Sequence, residues 1–154
     1  MKILAVDDDP FIRELFPSIF ANTDLTDVHT ACSGHAALDA IKAERKPYDC
    51  FLLDVDMPGM DGIELCKRIR ALPGYEGKPI LMLTAKTDSV SIENAFASGA
   101  NDYIAKPFNL KDISNRIRVA ERLLFNAKTI KRIGKDDIPQ GDERGKHGFE
   151  HAEK

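Results

Sequence analysis

Cysteine is scarce in this chain. Cys32, Cys50 and Cys66 are odd in number and share no CxxC spacing, which excludes a disulfide framework and a thiolate zinc site and fits a reducing cytoplasm. Basic charge is also short: 22 Lys and Arg against 25 Asp and Glu leave a formal charge of -3 over 154 residues. Direct nucleic-acid binding is therefore not expected, since neutralising phosphates needs a clustered basic excess. No apolar run approaches the ~18 residues of a membrane span. The N-terminus passes straight into Lys2-Ile3-Leu4 without a charged n-region, long apolar h-region or cleavage site, so neither export nor membrane insertion is expected. GxxxxGK[ST] and GxGxxG are both missing, and His29, His35, His147 and His151 show no metal-ligand spacing. Asp54-Val55-Asp56 with Gly59 superficially matches a calcium loop, but Pro58 takes a ligand position and Leu65 stands where a bidentate Glu is required.

What is present is an alternation of short apolar runs with helical patterns, which predicts βαβ units around a parallel sheet. Five such units are legible. Strands are expected at about 2–6, 27–31, 49–53, 79–83 and 102–105. The first helix should begin at Pro10, a favoured first helical residue, and present Ile12, Leu15, Phe16, Ile19 and Phe20 on one face. Pro17 lacks the N–H that would bond the carbonyl of Arg13, so a kink or loosened turn is expected there. Helix 2 should run from Ser33 to about Arg45. Helix 3 should start at Asp61, with Glu64 completing a capping-box pattern, and stop at Pro73-Gly74. Helix 4 should occupy about 87–98 with Gly99 at its C-terminus, and helix 5 should begin near Leu110 with Leu110, Ile113, Ile117, Ala120 and Leu124 on its inner face. Residues 1–125 form the expected domain. Residues 126–154 carry thirteen charged side chains, four glycines and scattered Ile130, Ile133 and Phe149, and read as a polar tail or linker.

Four strands end in chemistry: Asp7-Asp8-Asp9, Asp54, Thr84, and Lys106-Pro107. The carboxyl ends of strands in an open parallel sheet line the crevice where ligands bind. Carboxylates converging there repel, each pair at ~4 Å costing on the order of 4 kcal/mol at an effective dielectric of 20, so a positive group must sit among them. An all-oxygen donor set with few protein ligands suits Mg²⁺. With an amine and a hydroxyl added, the parts match those of phosphoryl transfer, and an aspartate nucleophile would yield an acyl phosphate. Taken singly the parts are bland: the three acids could be a solvated turn capping helix 1, Thr84 a helix N-terminal residue, Lys106 a surface lysine and Tyr103 a rim or core aromatic.

Together, Val6-Asp7-Asp8-Asp9-Pro10, Leu53-Asp54-Val55-Asp56-Met57-Pro58-Gly59-Met60-Asp61-Gly62, Leu83-Thr84-Ala85 and Gly99 to Phe108 resemble the response regulator receiver domains of bacterial two-component signalling, chemotaxis regulators included. The resemblance covers residues 1 to about 125. It implies a flavodoxin-like α/β fold, a doubly wound five-stranded parallel sheet of order 2-1-3-4-5 with helices on both faces. It also implies that Asp54 accepts the phosphoryl group, that Asp8, Asp54 and the backbone carbonyl of Asp56 bind Mg²⁺, and that Asp7 acts through a metal-bound water. Thr84 and Lys106 would contact phosphoryl oxygens, Lys106-Pro107 would be a cis peptide, and Thr84 and Tyr103 would form a switch pair. Such a protein is a signalling switch that assists its own phosphorylation and dephosphorylation. Its implied partners are a sensor histidine kinase or phosphotransfer protein and an output protein or separate effector domain. The resemblance leaves open a homodimer through helix 4, strand 5 and helix 5. An alternative from another class is a haloacid dehalogenase-type phosphatase, which also forms an aspartyl phosphate after a DxD strand. In that family the motif strand usually comes first and further acids follow the lysine, whereas here Asp112 is the only aspartate that does so within the expected domain.

Overall fold

A computed structural model describes residues 1–21, 23 and 27–136, with side chains as far as Arg132. Five strands and five helices alternate: β1 (Lys2–Val6), α1 (Pro10–Phe20), β2 (Asp27–Ala31), α2 (Gly34–Ala43), β3 (Cys50–Asp54), α3 (Gly62–Ala71), β4 (Ile80–Thr84), α4 (Ser89–Ala97), β5 (Asp102–Ala105) and α5 (Leu110–Asp136). The sheet is wholly parallel, in the order β2-β1-β3-β4-β5. This is the flavodoxin-like arrangement expected from the sequence.

The central strands β1, β3 and β4 are buried along their whole length, as strands covered on both faces must be. Alternate residues feed two cores. Leu4, Val6, Phe51, Leu53, Ile80 and Met82 pack with Ala37 and Ile41 of α2, Leu65, Cys66 and Ile69 of α3, and Ala95 of α4. On the other face Ile3, Ala5, Leu52, Leu81 and Leu83 meet Phe16, Ile19 and Phe20 of α1 and Ile113, Ile117 and Ala120 of α5. Each fully buried Leu, Ile or Phe contributes roughly 1.5–3 kcal/mol over its exposed state.

Local signals set the helix starts. Asp9, Ser33, Asp61 and Asp88 cap α1, α2, α3 and α4, each accepting a hydrogen bond from a first-turn N–H. Gly74 and Gly99 adopt positive φ where the chain leaves α3 and α4. α1 is helical through Pro17; the proline is exposed, while buried Phe16, Ile19 and Phe20 hold the helix to the core. Two sequence expectations change. Leu110, expected on the inner face of α5, is its first residue and 47% exposed, because the helix has only just left the loop there. α5 does not end near residue 125 but continues to Asp136. Its inner stripe stops at Leu124, yet elongating a nucleated helix adds one hydrogen bond per residue, and Ala127, Lys128, Lys131 and Arg132 are good helix formers. Of the tail expected over 126–154, residues 137–154, with His147, Phe149 and His151, lie outside the described residues.

Candidate functional site

Strand order reverses direction at β1: one connection leads outward to β2, the next back across to β3. The crevice at that switch point is bordered by the C-terminal ends of β1 and β3. Asp7 and Asp8 follow β1 directly, and Asp54 is the last residue of β3. One carboxylate oxygen from each of the three lies within 4.8 Å of the other two. Asp7 and Asp54 are 1% and 3% exposed, whereas Asp8 faces solvent.

The acids are sorted by their backbone. Asp9 alone caps α1, its Oδ1 accepting from Phe11 N at 2.9 Å, which frees the other two. Asp7 Oδ1 accepts from Asp9 N at 3.0 Å. Arg13, one turn into α1, donates Nη1 to the carbonyls of Asp7 at 2.8 Å and Asp8 at 2.9 Å, fixing the loop from behind. The sequence does not single out Arg13, because nothing in its spacing says that the side chain folds back over the helix start.

The positive group demanded by electrostatics is Lys106. Its Nζ donates to Asp54 Oδ1 at 2.9 Å and Asp7 Oδ2 at 3.0 Å. It follows β5 directly, and its peptide to Pro107 is cis. One ammonium does not neutralise two carboxylates. Burial pushes the Asp54 carboxyl up to about 6, Lys106 opposes that shift, and the charge of Asp7 and a hydrogen bond with Asp8 add to it. Burial alone would lower the Lys106 pKa, but its hydrogen bonds to Asp54 and Asp7 and their charges raise it. Both groups hold their protons more tightly, Asp54 because burial outweighs its ammonium partner and Lys106 because its carboxylate partners outweigh burial.

Thr84 ends β4 and is buried, while the N-cap of α4 is Asp88; Thr84 therefore does not start a helix. Its Oγ1 accepts from Lys86 N at 2.9 Å and donates to Lys86 O at 3.2 Å. Tyr103 is half-buried on β5 and meets Phe96 of α4 edge-on, with ring centroids 6.0 Å apart. Between Thr84 and Tyr103 lies a cavity of about 190 Å³, bordered also by Val55, Ile92 and Ala95. The structure thus gathers Asp7, Asp8, Asp54 and Lys106, but Thr84 and Tyr103 bond elsewhere. Asp56 is exposed at the rim, its Oδ1 3.4 Å from Lys86 Nζ.

Mg²⁺ fits this donor set: three carboxylates supply hard oxygen ligands on one side of a partly open crevice, leaving room for water and phosphate oxygens. Beneath it, Gly62 passes so close that a Cβ there would stand 2.2 Å from the Asp54 carbonyl oxygen. Its N–H donates to Val55 O at 2.9 Å.

Comparison with known proteins agrees along most of the chain. The family model described as response regulator receiver domain matches residues 3–118. The DNA-binding response regulator MtrA of Mycolicibacterium smegmatis is 41% identical over 121 residues, covering 79% of this chain and 50% of MtrA. The heme response regulator HssR of Staphylococcus aureus is 38% identical over 135 residues, 87% of this chain and 58% of HssR. The chain thus spans about half the length of these relatives. Among solved structures, the chemotaxis protein CheY4 of Vibrio cholerae superposes with a TM-score of 0.72 at 34% identity, covering 77% of this chain and 97% of CheY4.

Proposed function

The chain belongs to the response regulator receiver domain family, and from that premise we propose that Asp54 is the residue that takes up the phosphoryl group. The family membership sets aside the haloacid dehalogenase-type alternative and makes the protein a signalling module of two-component systems. The observation that carries the Asp54 reading is the buried Asp54 carboxylate held 2.9 Å from Lys106 at a switch-point crevice shared with Asp7 and Asp8.

The donor is a phosphohistidine on a sensor kinase or phosphotransfer protein. An Asp54 oxygen forms the new bond to phosphorus as the P–N bond breaks; the imidazole leaves with the electron pair and takes up a proton. Asp8, Asp54 and the Asp56 carbonyl would hold Mg²⁺, with Asp7 acting through a coordinated water. When bound, the ion neutralises charge on the phosphoryl oxygens. Lys106 transfers its ammonium from the carboxylates to a phosphoryl oxygen, and the Thr84 hydroxyl leaves the Lys86 backbone for another. These groups let the domain assist its own phosphorylation and dephosphorylation.

The switch follows from that exchange. The cavity between Thr84 and Tyr103 gives room for the hydroxyl to move and the ring to turn inward from Phe96. Such a change shifts a two-state equilibrium on the face formed by α4, β5 and α5, which then engages an output protein, an effector domain or a second copy. The receiver unit ends near residue 125, and the setting is the cytoplasm; no described helix is long and apolar enough to cross a membrane.

Intact-mass spectrometry after incubation with a small phosphodonor and Mg²⁺ tests the assignment. Wild type should gain one phosphoryl group, and Asp54→Asn or wild type in chelator should gain none. Equal modification of the mutant would sink the role of Asp54.

A further inference from the structure

The second half of α5 carries an apolar stripe that the domain does not use. Ile113, Ile117, Ala120 and Leu124 are spaced by 4, 3 and 4 residues; the first three are buried against the sheet and Leu124 is half-buried. Val119, Leu123, Asn126 and Ile130 repeat the same 4, 3, 4 spacing about a third of a turn away, and in sequence the frame reaches Ile133. Val119 is 55%, Leu123 62% and Ile130 69% exposed. A 3.5-residue repeat of this kind is the pattern of a two-stranded coiled-coil seam. It begins where it does for a reason. Arg116 holds the preceding seam position, and Nη1 of its guanidinium is drawn off to Asp102 at 2.7 and 2.8 Å.

We infer that this outer seam pairs in parallel with the same seam of a second copy of the chain, through the C-terminal half of α5. Asn126 identifies the occupant. An amide at the centre of an apolar seam needs both a donor and an acceptor opposite it, and in a parallel pair the facing Asn126 supplies both in one register. Charge agrees: Lys128, Lys131 and Arg132 all fall on outer positions of the heptad. The positions flanking the seam are Ala120, Arg122, Ala127 and Thr129, so no like charges meet across those flanks in a parallel pair, and Arg116 at the head of the seam is paired with Asp102 of its own chain. An apolar groove of about 300 Å³ beside Val119, Leu123 and Ala127, closed by Gly77 and Pro79, leaves space for partner side chains. Two heptads are marginal for free peptides, but the receiver fold has already nucleated this helix, which removes the costliest step.

The inference does not depend on Asp54 chemistry, and it differs from pairing through α4, β5 and the first half of α5. Sedimentation of the full chain over a concentration series, with and without phosphodonor, tests it. Wild type should dimerise in at least one state. Leu123→Glu and Ile130→Glu should each weaken the dimer at least about tenfold with unchanged circular dichroism, while Val90→Glu on α4 leaves it intact. Asn126→Leu should tighten association and admit higher oligomers. In a Cys32→Ser background, Ile130→Cys alone should cross-link to itself on oxidation. A monomer in all states, a dimer insensitive to both seam variants, or cross-linking only between Val119→Cys and Ile130→Cys chains would overturn the inference.

Discussion

Gly62 and Asp54 touch through their main chains: any side chain at Gly62 would stand 2.2 Å from the Asp54 carbonyl oxygen. The contact lets the first turn of α3 lie directly beneath the reactive crevice. Gly62→Ala must push α3 away from β3, at about 2 to 3 kcal/mol. Urea unfolding should show that loss, and phosphorylation of the folded fraction should slow as the Asp54 loop shifts.

Asp54 is ionised at a cost in the metal-free protein. Its carboxyl titrates at about 6 when folded, against an ordinary 3.8, so the folded state binds that proton more tightly than the unfolded one. The resulting stabilisation is complete below about pH 4 and is lost as pH rises through about 6, an effect on the order of 3 kcal/mol. Lys106 adds no slope in this window, because its raised pKa acts only in the alkaline range. In chelator, Asp54→Asn should therefore melt higher than wild type at neutral pH, and the gap should close toward pH 4. A gap independent of pH would contradict the burial argument, and added Mg²⁺ should narrow it by stabilising wild type.

Arg70 ties the end of α3 to the loop after α4. It donates to the carbonyls of Gly99, Tyr75 and Lys78 and to Asn101 Oδ1, at 2.6 to 3.0 Å. Arg70→Ala leaves these acceptors to water and should cost about 2 to 3 kcal/mol. Arg70→Lys should recover only part, because a single ammonium cannot span the same acceptors. Chemical denaturation of both variants checks the ranking.

How legible these features are in sequence depends on how local their cause is. The apolar runs that end in Asp7, Asp54, Thr84 and Lys106 mark strand ends, and the Asp61 cap is a four-residue signal. The sheet order came from family resemblance, not from periodicity. Arg13, Arg70 and Gly62 act across loops, on backbone groups whose positions exist only after folding, so their spacing is silent. The length of α5 is hard to read for a different reason: its second half carries a stripe that does not face the sheet but is offset around the same helix.

Arg13 should matter to metal binding without touching the metal. Its two bonds to the Asp7 and Asp8 carbonyls hold the β1–α1 loop, and loss of such outer support commonly costs tenfold or more in affinity. Calorimetric titration with Mg²⁺ should show Arg13→Ala binding about tenfold more weakly at similar stability. Unchanged affinity would mean that Asp9 and the α1 cap suffice to place the acids.

The lifetime of the acyl phosphate turns on water reaching phosphorus in line. Asp56 and Lys86 stand at the crevice rim with Oδ1 and Nζ 3.4 Å apart, 51% and 63% exposed, and the Lys86 backbone is bonded to the Thr84 hydroxyl. An exposed pair of this kind is worth under ~1 kcal/mol, so any gating is modest. Lys86→Ala should lose phosphate from Asp54 faster by up to about fivefold at low salt. Screening should weaken the wild-type pair, so raising ionic strength should draw the two decay rates together. Equal rates at every salt concentration would reduce the pair to two solvated side chains and leave the role of Asp54 untouched.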